Sequence, residues 1–106
     1  MIIRFTLHAT ERLTGRLSHL VTETEVDRVV ARALATGRAG VGETHILIKR
    51  LPRTVTIVED GGREIIGDVI WAVVQRDHHR DPGRVKTVML RGHWQPQRGD
   101  YVIALS

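Results

Sequence analysis

At Thr44 the hydrophobic pattern of the chain changes period, and that switch decides what the chain can fold into. Before it, apolar residues recur every three or four positions and fall on one side of a helix. After it, β-branched residues dominate in runs of strand length separated by turn residues. A chain that places its helices first and its longer strands afterwards has an α+β layout.

Residues Ile2 to Phe5 read as a short extended start, an edge strand. In HATERLTGRLSHL the residues Ala9, Leu13, Leu17 and Leu20 make one apolar stripe at helical spacing. Gly15 interrupts that helix at a cost of about 1 kcal/mol relative to Ala, so a bend or frayed end is expected there. The second helix has the firmest start. Thr22-Glu23-Thr24-Glu25 is a capping box, in which a hydroxyl and a carboxylate satisfy exposed N–H groups reciprocally. Val26, Val29, Val30, Ala33 and Leu34 follow on one face, and Gly37 supplies the stop. Gly37 to Glu43 is then a connecting loop.

Five later segments read as strands: THILIKRL, TVTIVE, DVIWAVVQ, VKTVMLR and YVIAL. Asp60-Gly61-Gly62 is a hairpin turn and the segment from His78 to Gly83 a longer hairpin loop. Val69 to Val74 is apolar on both faces, which places it centrally. The expected fold is therefore two N-terminal helices packed on one face of a four- to five-stranded antiparallel sheet. At 106 residues, a single domain over 1–106 follows.

Composition excludes several function classes. Apolar residues are 42% and charged residues 26% of the chain, the balance of a folded globule. The aromatic residues are Phe5, Trp71, Trp94 and Tyr101, too few for a ladder of rings that stacks bases. Without cysteine there is no disulfide, no thiol nucleophile and no Cys-ligated zinc. Gly37-x-x-Gly40-x-Gly42 lacks the Lys-Ser/Thr of a phosphate loop and follows a helix, so no nucleotide cofactor is expected. Asp77-His78-His79-Arg80-Asp81 brings carboxylates and imidazoles together. Adjacent histidines in a hairpin rarely point the same way, however, and no metal is expected there. The start MIIRFTLHATER has no apolar run of signal length and Val69–Val74 is far too short to span a bilayer, so a cytoplasmic chain without a membrane partner is expected.

Charge points toward phosphate. Lys and Arg number 16 against 12 Asp and Glu, a formal charge of +4, and Arg outnumbers Lys 14 to 2. Guanidinium groups favour planar, two-pronged contacts with phosphate. His8, Arg12, Arg16 and His19 would share a helix face at i, i+4, i+8 and i+11. An imidazole can move a proton near neutral pH while arginines stabilise the charge that builds on a phosphodiester. The plainer alternative is a solvated face whose Arg stems cover apolar neighbours.

HATERLTGR, the apolar helix behind a capping box and the late strand VKTVML together resemble a small phage and mobile-element family. That family is allied to the barnase–EndoU–colicin–RelE (BECR) ribonucleases, and the likeness runs from residue 5 to about residue 91. Arg16-Leu17-Ser18-His19-Leu20 stands where the family has an Arg-Gly-Ile-Ser step. The resemblance implies a RelE-like α+β fold and cofactor-free, metal-independent RNA cleavage through a cyclic phosphate. It makes His8 the general base or acid, Arg12 and Arg16 the phosphate clamp, and Thr87 a hydrogen-bonding positioner. His19, on the same face by spacing rather than by resemblance, is a further substrate-binding candidate.

A second proton-transfer group is needed. His45 and Lys49, on one strand face by the period of two, are the nearest in type, or else they decorate an exposed face. The expected partner is RNA, with a host protein or an antitoxin or immunity protein as further partners, and the protein acts as a monomer or homodimer. The alternative is a non-catalytic binding module of the same fold. In a purely interacting protein, Trp94 and Tyr101 would be the anchors.

Overall fold

The computed structural model describes residues 3–37, 39–59 and 61–92, together with the backbone of 101–102. Its element order is β1 (Arg4–Phe5), α1 (Leu7–Thr14), α2 (Glu23–Ala35), β2 (Gly42–Val58), β3 (Glu64–Arg76), β4 (Arg84–Arg91) and β5 (Tyr101–Val102).

Thr6 starts α1 and ties it to the sheet. Its Oγ1 accepts from the Ala9 N–H at 3.1 Å and donates to the Lys86 carbonyl at 2.7 Å, while its own N–H donates to the Val85 carbonyl at 3.0 Å. The helix breaks at Gly15, where the glycine itself predicted a bend or frayed end, and does not run on to Leu20 as the apolar stripe alone suggested. A Cβ at Gly15 would lie 2.9 Å from the Glu11 carbonyl oxygen, and residues 15–20 form turns. Leu17 is nevertheless fully buried. The stripe therefore marks burial correctly even where the backbone leaves the helix.

The capping box of α2 forms as its residues dictate. Thr22 Oγ1 accepts from the Glu25 N–H at 3.1 Å, and Glu25 Oε1 accepts from the Thr22 N–H at 3.1 Å. Val26, Val30 and Ala33 face the core, and Gly37 leaves the helix at φ 68°, a conformation that suits glycine.

The sheet order is β1-β4-β3-β2-β5, with β3 central, the place its two apolar faces require. The long strands β2, β3 and β4 pair antiparallel. The two short edge strands differ from the expected all-antiparallel pattern: β1 pairs parallel to β4 and β5 parallel to β2. Neither is next in sequence to the strand it pairs with, so no tight hairpin forces an antiparallel pairing. The segments THILIKRL and TVTIVE are one strand, because Leu51 to Thr54 is absorbed as an irregularity between Arg50 and Val55. Pro52, which has no N–H to give a ladder, is tolerated at such a place.

The helix-facing core is built from Leu17, Val26, Val30, Ile46, Ile48, Ile70, Val74, Val85, Val88 and Leu90. Leu47, Val69 and Trp71 are buried on the opposite face with Met89 packed against them. Arg76 holds the β3–β4 loop by donating to the carbonyls of Asp81, Ala39 and His79 at 2.8, 2.6 and 2.7 Å. No helix among the described residues is long and apolar enough to cross a membrane. The side chains of Trp94 and Tyr101 lie outside the described residues, as do residues 103–105 of the YVIAL segment.

Candidate functional site

One cleft of about 260 Å³ is bordered by His8 and Arg12, one turn apart on α1, and by Thr87 of β4, distant from both in the chain. Its position follows from the topology. β1 pairs with β4 at Arg84 and Val85, and beyond that point α1 packs against β4. The ends of β2 and β3 then close the cleft with Ile57, Glu59, Arg63 and Ile65, while β4 adds Met89 and Arg91. Its lining is thus a half-buried aliphatic floor, an imidazole, a hydroxyl and several guanidinium groups.

One ion pair spans the cleft. Arg12 Nη1 donates to Glu59 Oε1 at 2.5 Å, with the Arg12 and Glu59 side chains 22% and 17% exposed. The hydrogen bond from Arg12 holds the Glu59 carboxyl below its ordinary value. Partial burial opposes this, and the charges of Arg12, Arg16 and Arg63 assist it. Among the described residues lining the cleft, Glu59 is the carboxylate, set against Arg12, Arg63 and Arg91. The site is cationic overall and its carboxylate is ionised at neutral pH.

A pH dependence follows. The carboxyls of Glu59, Glu43 and Asp81 all lie below their ordinary values, chiefly through hydrogen bonds from Arg12, from Lys86 and from the Asp77 backbone, respectively. For Glu25, burial works against the charge, but hydrogen bonds from Lys49 and Thr22 outweigh it and lower the carboxyl as well. A depressed carboxyl stabilises the fold fully above its unfolded value, and that contribution disappears as pH falls through the folded value. Urea unfolding free energy is expected to stay level from pH 7 to about 5 and to fall below about 4. A decline that begins above about 6 would contradict this assignment.

Other expected site residues go elsewhere. Because α1 ends at Thr14, the four-residue stripe is broken. Arg16 borders an adjoining hollow with His8, Glu11, Arg12 and Gly15. His19 borders a separate depression with Leu20, Lys49, Leu51, Pro52, Arg53 and Val55. His45 and Lys49 do not share a face as the simple period of two suggested. Leu47 pairs with Trp71 and Lys49 with Ile70, so Ile48 is an extra residue in the ladder. Such a bulge reverses the facing of everything beyond it. His45 therefore shares the Leu47–Trp71 face, whereas Lys49 turns toward α2 and donates to Glu25 Oε2 at 2.8 Å. Neither borders the cleft.

Sequence reasoning missed Glu59, Arg63 and Arg91. Glu59 and Arg63 flank the recognised Asp60-Gly61-Gly62 turn, which the Glu59 N–H closes by donating to the Arg63 carbonyl at 2.7 Å. No local signal announces that this turn reaches α1. The described residues contain no group of three or more His, Asp or Glu placed to hold a metal ion. The Asp77–Asp81 segment is instead organised by its own backbone: Asp81 accepts from the N–H groups of Asp77 and Gly83 at 2.6 and 2.9 Å. Compared with family models, curated proteins and solved structures, the chain matches none at a significant level.

Proposed function

We propose that the cleft binds a phosphodiester of RNA and that the protein is a small metal-independent ribonuclease. The observation that carries this reading is the convergence of His8, Arg12 and Thr87 in one cationic cleft. The resemblance to BECR ribonucleases supports it, and a phage or toxin-system setting belongs to the same proposal.

The chemistry needs a base, an acid and charge stabilisation. The Glu59 carboxylate accepts the proton of a ribose 2′-OH, whose oxygen attacks the neighbouring phosphorus. Protonated His8 gives its proton to the departing 5′ oxygen as the P–O5′ bond breaks, leaving a 2′,3′-cyclic phosphate and a 5′-hydroxyl. Arg12, Arg63 and Arg91 stabilise the charge that grows on the non-bridging oxygens, and the Thr87 hydroxyl donates a positioning hydrogen bond to one of them. Glu59 replaces His45 and Lys49 as the second proton-transfer group, since it borders the cleft and they do not.

One observation favours a second reading, a non-catalytic nucleic-acid-binding module. A carboxylate held down by arginines is a weak base, and the same cleft would then bind phosphate without turnover. Incubating the purified protein with RNA in a chelating buffer separates the two. The ribonuclease reading predicts fragments with cyclic phosphate ends, and no cutting of the matching 2′-deoxy strand. Intact RNA that binds with strong salt dependence supports the module instead.

A further inference from the structure

The cleft does not end at α1. The adjoining hollow, also about 260 Å³, is bordered by Arg16, Gly15 and Glu11, and it shares His8 and Arg12 with the first. The two hollows thus have that pair of side chains in common. The early stop of α1 creates this arrangement. A continuous helix would stack Arg16 one turn above Arg12, whereas the chain leaves the helix at Gly15 and Leu17 N–H reaches back to the Arg12 carbonyl at 3.1 Å. The charge of Arg16 still acts on Glu59 across the ridge. Cations thus border each of the two hollows that His8 borders: Arg63 and Arg91 the first, Arg16 the second.

A dinucleotide has one internal phosphate and can use one hollow. Resting on the reading of the cleft as a phosphodiester site, we propose that the joined hollows take an RNA strand across at least two consecutive phosphates. The reacting phosphate sits at His8, Arg12 and Thr87, and its neighbour sits at Arg16. Glu11, on the rim of the second hollow, sets its limit by repelling phosphate. The substrate class is therefore a polynucleotide strand rather than a dinucleotide.

The test uses 2′-deoxy di- and tetranucleotides, which lack the attacking hydroxyl, so binding is read without turnover. Each phosphate neutralised on a single strand adds about 0.7 to the slope of log affinity against log salt. The wild-type protein is expected to show a steeper slope for the tetranucleotide than for the dinucleotide. Arg16→Ala lowers the tetranucleotide slope by about 0.7 and costs more affinity on the longer strand than on the shorter. Arg16→Lys keeps the slope, because counterion release counts charge. A thermal melt accompanies each variant, and Arg16→Gln takes the place of an alanine variant that melts below assay temperature.

Equal losses on both lengths, or no loss on either, overturn the two-phosphate track. If RNA is bound with this length dependence but never cut, the ribonuclease reading falls and the track stands. If RNA di- and tetranucleotides are cut equally fast, the track falls and the ribonuclease reading stands. No binding to either strand overturns both.

Discussion

RNA cleavage by the His8→Ala protein is expected to fall at least about 100-fold, with its melting midpoint unchanged. The ring is exposed on α1, so its removal opens no core cavity, and what the variant lacks is the proton donor of the proposed mechanism. Glu59→Gln makes the complementary case. Turnover should fall by a similar factor, yet substrate should bind more tightly, because the amide no longer competes with phosphate for Arg12. That split, lower kcat with lower KM, is a signature that simple loss of structure does not give. In bacteria, induced wild-type protein should arrest growth and fragment total RNA, while His8→Ala should do neither. Persistent cleavage by the purified His8→Ala protein would remove the imidazole from the mechanism. Equal toxicity of both forms with intact RNA would move the target to a host protein.

Gly67→Ala is expected to cost about 3 kcal/mol, at the upper end of what overpacking usually costs. A Cβ at Gly67 would lie 2.4 Å from the Arg91 carbonyl carbon, 2.5 Å from its oxygen and 2.9 Å from the Gly92 nitrogen. These are backbone atoms, which cannot swing aside as a flexible side chain can. The ends of β3 and β4 must part to admit the methyl group, and Arg91 and Met89 of the cleft wall move with β4. Urea unfolding should therefore show a lower midpoint, and oligonucleotide affinity should drop in the same variant. Gly40→Ala is the control, since nothing lies within 4 Å of a Cβ there, and a change within about 0.5 kcal/mol is expected. Equal stability of the two variants would show that β3 and β4 are not held this closely.

These two expectations differ in how far the residues alone announced them. His8 and Arg12 stood out by their spacing on α1, and Thr87 by its resemblance to a family strand. Gly67 gave no sign, since it lies just before the segment DVIWAVVQ that reads as a strand, and its role depends on the backbone of Arg91, 24 positions away. Glu59 was hidden for the same reason: it meets Arg12 across 47 positions, and no window of sequence contains both.

What the residues settle by themselves are features whose partners are close in the chain. The α2 start follows from Thr22 and Glu25 bonding each other's backbone, and the two hairpins follow from turn residues that tolerate positive φ. The central place of β3 follows from apolar residues on both its faces, which water would penalise at an edge. Tertiary structure alone decided the rest. The Ile48 bulge turned Lys49 toward Glu25 and left His45 on the other face, since register is set by the neighbouring strand and one extra residue reverses every side chain beyond it. The pairing of β2 with β3 carried Glu59 and Arg63 to the helix. Short-range hydrogen bonds are written in adjacent residues, whereas a cleft is assembled from strand register and helix packing, which exist only once distant segments meet.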